Sequence, residues 1–314
     1  MVFCSFASLF NRTLLVVSGK GGTGKSLVSA LLALMAADRG KRVLVVELAA
    51  QSQMNALLGP PGAPVLGHCE TLLRPGISAI NLNPQECFRE YIVNYLGHPR
   101  LYETVFKHQT VASFINAVPG LGESMILGRL LYTARIQEPR RFDLLIFDAP
   151  ASGHFLSMMQ TPATIIEALT IGPLVRELER IREFLADPLA ALGLYVTTTE
   201  ALVVSETLEF LAQLRAQDIP LHLAGVIINK VFPPQENRAM CAETAQLLPR
   251  ALAYLEQQQE ESRQQRSALL SALAQQEVLE YMLSLPDMGP LSEPLSPSVC
   301  KQLMAALGAE EKGT

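Results

Sequence analysis

Residues 19–26 read Gly19-Lys20-Gly21-Gly22-Thr23-Gly24-Lys25-Ser26, between an apolar run at residues 14–17 and a helical pattern that begins near Lys25. This spacing fits the glycine-rich loop that wraps the phosphates of a nucleotide. Glycines let successive backbone N–H groups point at one anion, and the following helix adds the positive end of its dipole. In such a loop Lys25 would contact the outer phosphates, and the Ser26 hydroxyl would hold Mg²⁺.

A second lysine distinguishes this loop from an ordinary phosphate loop. Lys20 occupies an early position at which most phosphate loops accept almost any residue. A cation there suggests a charge used on the nucleotide of a facing subunit. A plain strand-to-helix turn would need neither lysine, so the loop predicts nucleotide binding, and Lys20 adds the expectation of a dimer.

Short apolar runs alternate with helical patterns along much of the chain. Strands are predicted at residues 12–18, 42–48, 142–148, 194–198 and 223–229, with weaker candidates at 78–82 and 280–285. Buried runs separated by helices are typical of an α/β fold with a parallel, doubly wound sheet. We therefore expect a mostly parallel sheet with helices on its faces.

Polar side chains stand at the ends of these predicted strands. They are Glu47, Asp148, Thr198 and Asn229. In a doubly wound sheet, ligands bind at the carboxyl ends of the strands. These side chains and the glycine-rich loop are therefore expected to form one site.

The length of 314 residues allows one large domain, residues 1–314. Two stretches are too long for simple crossovers and are expected to be helical insertions, at about residues 50–140 and 155–193. Residues 236–276 are predicted to form one or two long helices, because leucines there recur at helical spacing.

Composition excludes several classes of protein. Hydrophobic residues make up 49% and charged residues 18%, so general disorder is not expected. The net charge of −5 argues against a nucleic-acid binder. The five cysteines form no C-x-x-C pair, which favours reduced thiols in a cytoplasmic protein. The apolar start lacks a basic segment and is expected to lead into the first strand, and no apolar stretch is long enough to span a membrane.

A second motif follows the strand at residues 142–148. Asp148-Ala-Pro-Ala-Ser-Gly153-His154 places an acid where a phosphate-loop enzyme has its Mg²⁺-side carboxylate. Gly153 beside His154 suggests a mobile segment able to sense a third phosphate, although His154 could equally cap a helix. If the glycine-rich loop at Gly19 were absent, an ordinary turn would be enough to explain this motif.

The chain resembles the ATPase family that contains the arsenite-pump ATPase and the eukaryotic targeting factor for tail-anchored membrane proteins. Residues 19–26 resemble the family's deviant Walker A loop with its signature lysine, and residues 148–154 resemble its second switch. Residues 196–207 (V-T-T-T-E-A-L-V-V-S-E-T) and 224–230 (A-G-V-I-I-N-K) are similar to two further family stretches. The similarity extends over most of the chain, from Leu14 to about Pro234.

This resemblance implies a P-loop NTPase fold and an ATPase that uses ATP and Mg²⁺. Ser26 and Asp148 would hold Mg²⁺, Asn229 would read adenine, and Lys20 would act across a homodimer or a heterodimer with a paralogous ATPase. The helical insertions would offer a hydrophobic protein client a binding surface. Candidate elements for that surface are residues 111–118, 125–131 and 155–159, for which ordinary core packing is the alternative interpretation.

The first switch departs from the family's pattern. The family carries an aspartate there that orients the attacking water, and Ala49 occupies that position in this chain. Glu47 points to the same side of an extended strand and would either substitute as a catalytic group or act as a supporting acid. Because loss of such help costs about 10²–10⁴ in rate, we expect tight Mg·ATP binding with slow or absent hydrolysis by this chain alone.

Other functions stay open at this point. A hydrolysis-deficient scaffold or heterodimer subunit would bind nucleotide without turnover. A positioning ATPase of the ParA/MinD kind shares the deviant loop, but residues 296–314 have little basic character for a membrane surface. An electron carrier would need paired cysteines near the second switch. Arsenite chemistry would need clustered thiolates, and Cys69, Cys87 and Cys241 lack metal-ligand spacing.

Overall fold

A computed structural model of the chain describes residues 6–60, 62–95, 119–137, 139–169, 171–231, 249–274 and 281–286. The candidate client segment at residues 111–118, the start of the predicted 236–276 helices, Cys241 and the tail at 296–314 lie outside these ranges.

One eight-stranded sheet forms the centre of the molecule. Its strands are β1 (Leu14–Gly19), β2 (Val43–Glu47), β3 (Thr71–Arg74), β4 (Ile77–Asn81), β5 (Leu144–Ala151), β6 (Ala191–Thr197), β7 (Leu223–Val231) and β8 (Tyr281–Pro286). They lie in the order β3-β4-β2-β5-β1-β6-β7-β8, and β3 alone of these strands runs antiparallel to its neighbour. The predicted doubly wound, mostly parallel sheet is confirmed.

Helices connect the strands. They are α1 (Lys25–Asp38), α2 (Met54–Leu58), α3 (Pro84–Tyr95), α4 (Leu121–Leu131), α5 (Ser152–Leu169), α6 (Pro173–Ala186), α7 (Ala201–Ala216) and α8 (Pro249–Ala274). A 3₁₀ helix at Phe6–Asn11 precedes β1, and a π-helical segment at Tyr132–Ile136 follows α4. Within the described ranges, none of these helices has both the length and the apolar content needed to cross a bilayer.

Alternate residues of the central strands feed two separate cores. In β1, Leu15 and Val17 join the core that α1 and α2 cover, whereas Leu14 and Val16 join the larger core beneath α4 to α7. This alternation follows from the pleat of a strand, which sends successive side chains to opposite faces of the sheet. A strand covered on both faces reads as a continuous apolar run, which is why β1 could be predicted.

The long stretches predicted as insertions contain more strand than expected. Residues 50–140 include β4, close to its predicted position, and also β3, which was not predicted. The short edge strand β3 has a weak apolar pattern, since Leu72 is exposed and Leu73 is buried. The second stretch begins earlier than predicted, because α5 starts at Ser152, and β6 begins at its end, at Ala191.

Candidate functional site

The glycine-rich loop joins β1 to α1 and is braced from the far side by β7. Gly24 caps α1 with a φ of 93°, in the left-handed region. A Cβ on Gly24 would lie 2.2 Å from Nδ2 of Asn229, so this position requires glycine for its backbone and for its space. Asn229 is buried, and its Nδ2 donates a 2.8 Å hydrogen bond to the carbonyl of Thr23. Asn229 therefore fixes the loop; its predicted contact with adenine stays a prediction.

The side chain of Lys25 turns back toward the first residues of the glycine-rich loop. Its Nζ donates to the carbonyl of Lys20 at 3.4 Å, and the Thr23 hydroxyl donates to the same carbonyl at 2.8 Å. Burial lowers the pKa of Lys25, and the negative charge of Asp148 only partly offsets this effect. The ammonium is thus held in a desolvated position, where it would favour an anion as a partner.

Two hydroxyls of α1 contact the carboxylate at the end of β5. Ser26 Oγ donates to Asp148 Oδ2 at 2.6 Å, and Ser29 Oγ donates to Oδ1 at 3.1 Å. Burial raises the pKa of Asp148 despite these hydrogen bonds and the nearby Lys25. Hydroxyl and carboxylate oxygens are the hard ligands that Mg²⁺ prefers, so Ser26 and Asp148 fit the metal that the motif implies.

Three adjacent strands carry polar side chains at the same level of the sheet, and Asp148 is one of them. Asn81 of β4, Glu47 of β2 and Asp148 of β5 are register partners across adjacent strands. Glu47 is buried, and its Oε2 accepts hydrogen bonds from the backbone N–H groups of Gln53 and Met54 at the start of α2. Among the described residues no group hydrogen-bonds its Oε1, so one buried carboxylate oxygen beside Asp148 is free for a hydrated metal or water.

The segment after β2, which the sequence predicts to be the first switch, has an alanine, Ala49, at the position expected for an acid. The backbone of Ala49 is paired with the Asn81 side chain, which accepts from its N–H at 3.1 Å and donates to its carbonyl at 2.7 Å. These two bonds mimic a strand ladder and hold the segment after β2 against β4. Asn81 was not predicted from the sequence, although its position at the end of a strand was an available signal.

The predicted second switch forms the start of a helix, and its mobility stays a prediction. Gly153 and His154 lie in the first turn of α5, because β5 continues to Ala151 and the helix starts at the next residue. His154 is 57% exposed, and its Nε2 lies 4.0 Å from Oε1 of Glu123 in α4. A cleft of about 680 Å³ separates this switch from the first one, and its lining includes Ala49 and Ile126.

Lys20 contacts a side chain of its own subunit. Its Nζ lies 2.6 Å from Oε1 of Glu206 in α7. On the other flank, Nζ of Lys230 donates to the carbonyl of Gly22 at 3.1 Å, and Lys230 itself has a φ of 56°. Glu206 and Lys230 were not predicted from the sequence, because no local pattern indicates that either residue contacts the loop.

A model of the anion-transporting ATPase family, ArsA ATPase, matches residues 12–175 and 167–284 of this sequence. The chain belongs to the ArsA ATPase family. The match covers the loop, both switches and Asn229, so the resemblance drawn from the motifs is confirmed.

Individual relatives of this ArsA-family chain are distant. ATPase BagA of Mycobacterium tuberculosis is 28% identical over 223 residues, which is 69% of this chain and 65% of that protein. The arsenical pump-driving ATPase of Acidiphilium multivorum is 29% identical over 263 residues, 77% of this chain and 43% of the relative. An Escherichia coli protein of the same name is 28% identical over 238 residues, 71% of this chain and 40% of the relative. The chain thus matches less than two thirds of the length of each.

Proposed function

We propose that this chain binds Mg·ATP in the glycine-rich loop and couples the nucleotide to association with a second ATPase chain. The observation that carries the proposal is the hydrogen bond from Ser26 to Asp148 beside the desolvated ammonium of Lys25. This arrangement offers a metal two oxygen ligands and offers the phosphates one cation. The relatives named as ATPases support the same activity for this chain.

We infer that hydrolysis by this chain alone is slow. Ala49 supplies no group that could orient water, and its backbone is held by Asn81. The nearest substitute is Glu47, which is buried and already accepts two backbone N–H groups of α2 through one oxygen. These bonds favour Glu47 as a supporting acid beside Asp148, because a catalytic base must reach the water that it activates. A hydrolysis-deficient subunit of a heterodimer is the second candidate function, favoured by the same Ala49.

The second switch offers a route from the nucleotide to the helical region. Helix α5 begins at Ser152, four residues after Asp148, and Thr161 of α5 packs directly against Gly120 at the start of α4. A shift of the first turn of α5 would therefore also move α4. The cleft between the switches is the surface that would change shape, and a hydrophobic protein client is the partner class that we propose for this helical side.

A role in arsenite binding has little support in the described part of the chain. Cys87 is buried, and burial raises the pKa of its thiol to about 12, so it would not supply a thiolate ligand at neutral pH. Cys69 is exposed. No group of three potential ligands from His, Cys, Asp or Glu comes together within the described ranges. The names of the arsenical relatives therefore do not transfer their substrate to this chain.

The decisive experiment combines calorimetry with single-turnover hydrolysis of Mg·ATP. We expect saturable binding, and a rate at least about 10²-fold below that of an arsenical pump-driving relative assayed in parallel. Ala49→Asp places an acid at the predicted switch position and is expected to raise the rate of hydrolysis about tenfold or more. Ala49→Asn is the control, because asparagine has the shape of aspartate without its charge, and we expect it to leave the rate unchanged.

Two results would contradict this proposal. Absence of Mg·ATP uptake by folded protein would remove the nucleotide site altogether. A wild-type rate equal to that of the relative would remove the slow-hydrolysis inference, and a loss of that rate in Glu47→Gln would identify Glu47 as the catalytic substitute.

A further inference from the structure

The Lys20 side chain has two anions available to it if the chain dimerises. One is Glu206 of its own subunit, whose carboxylate lies 2.6 Å from Nζ. The other is the phosphate of a nucleotide bound to the facing subunit, the contact that the sequence predicts for Lys20 in a dimer. An ammonium group is a compact charge on a flexible stem, so it can change partner at small cost.

The helix that carries Glu206 is anchored by the next residue of α7, Thr207. Thr207 is fully buried, and its hydroxyl lies 2.7 Å from the hydroxyl of Thr197 at the end of β6. The same hydroxyl donates to the carbonyl of Val203 one turn earlier. Because β6 is the direct neighbour of β1, this contact fixes the first half of α7 relative to the glycine-rich loop.

The pair between Lys20 and Glu206 is only partly shielded from solvent. The exposed fractions of the two side chains are 28% and 37%. Ion pairs with this exposure shift an equilibrium by about two- to fivefold, since water and salt screen them. The pair is therefore strong enough to bias the position of Lys20 and weak enough to be broken by a phosphate.

We propose that Glu206 is a positioning residue that retains Lys20 on its own subunit and so sets the nucleotide concentration at which two chains associate. This inference depends on the proposed nucleotide-coupled dimer. Moving Lys20 to a partner's phosphate breaks its pair with Glu206. This loss opposes association, and removing the charge of Glu206 relieves it.

The first test is the dimerisation of full-length variants, measured by analytical ultracentrifugation against a non-hydrolysable ATP analogue with Mg²⁺. Glu206→Gln is expected to lower the analogue concentration at half-dimerisation by about threefold or more, because a symmetric dimer breaks two pairs. Glu209→Gln removes the same charge from an exposed position of α7 and is expected to change the midpoint less than twofold.

A cycle with Lys20→Met separates positioning from a general effect of charge. In the Lys20→Met background, Glu206→Gln is expected to leave the midpoint unchanged. An unchanged or higher midpoint in Glu206→Gln alone would overturn the proposal, as would a lowered midpoint that persists without Lys20.

A second measurement does not depend on dimers. Chemical denaturation of the wild type, the two single variants and the double variant gives the coupling between Lys20 and Glu206 within one chain. We expect about two- to fivefold in the unfolding equilibrium constant, falling at high salt. Absence of coupling would overturn the inference whatever the dimer does. A wild type that shows the coupling and binds the analogue but never dimerises would instead contradict the proposed function.

Discussion

Asp148 and Lys25 carry opposite charges in one partly buried site, and burial disfavours the charged form of each. The pKa of Asp148 is raised and that of Lys25 is lowered, in both cases mainly by desolvation. Perturbed groups of this kind cluster where a protein prepares to bind a charged ligand. The two groups offset the desolvation of each other only in part, and a metal ion and phosphates would offset more of it. The residues of the loop are therefore arranged for the ligand rather than for maximal stability.

The cysteines provide a prediction at the scale of single residues. With a pKa of about 12, only about one Cys87 thiol in 10⁴ is ionised at pH 8. We expect a maleimide at pH 8 to label exposed Cys69 within minutes and to leave Cys87 unlabelled in folded protein, as read by peptide mass spectrometry. Labelling of Cys87 is expected only as the pH rises toward 12 or when denaturant is added. Equal labelling of the two thiols in the fold at pH 8 would contradict the burial argument.

The contact between α4 and α5 decides how the second switch communicates. Gly120 precedes α4 with a φ of 81°, and a Cβ there would lie 2.1 Å from Cγ2 of Thr161 in α5. Pro162 follows Thr161 inside the helix and removes one hydrogen bond from the helical ladder. The middle of α5 therefore combines a close helix contact with a weak point, directly downstream of the first-turn residues Gly153 and His154.

Gly120→Ala tests this contact between elements. The substitution adds about 1–2 kcal/mol of left-handed backbone strain and about 1–3 kcal/mol of overpacking against Thr161. We expect the free energy of unfolding to fall by about 2–5 kcal/mol in chemical denaturation. Gly40→Ala is the matched control, because its φ is 77° but a Cβ there meets nothing within 4 Å. Equal losses in the two variants would show that strain alone, without the helix contact, explains the effect.

At the scale of the whole molecule, the edge of the sheet formed by the carboxyl ends of its strands carries the loop, both predicted switches and an exposed apolar side chain. Leu202 is 67% exposed and lies one turn before Glu206 on α7. Leu189 is similarly exposed, at 72%, but it precedes β6 and lies at the opposite edge of the sheet. The two leucines thus distinguish the edge that we expect a second chain to cover from the edge that we expect to stay in solvent.

Leu202→Asp is predicted to weaken nucleotide-dependent association by about 10–100-fold. Burying a leucine contributes about 1.5–3 kcal/mol, and the introduced carboxylate adds a charge to the interface. Leu189→Asp is expected to leave the association unchanged in the same sedimentation assay. Nucleotide binding by the isolated chain is expected to be equal for both variants. Equal weakening by both substitutions would exclude the loop edge as the interface.

The glycine-rich loop, the central strands and the acid at the end of a buried strand could be predicted because their signals are local. A strand covered on both faces is apolar throughout, and a phosphate loop needs glycines at fixed spacing, so β1 and α1 could be recognised from neighbouring residues. Ala49 likewise supports the prediction of an altered first switch, since an alanine side chain cannot orient water. Ser29 could also have been found, because it follows Ser26 by one helical turn.

Other parts of the site were decided only by the tertiary structure. Glu206 meets Lys20 across 186 residues, and Asn81 holds the backbone of Ala49 across 32. The order of the strands sets these contacts, because it places β6 beside β1 and β4 beside β2. Periodicity in a sequence reports how each segment is buried but not which segments are neighbours. The sequence by itself therefore determined the chemistry of phosphate binding, whereas only the packed sheet decided which side chains restrain that chemistry.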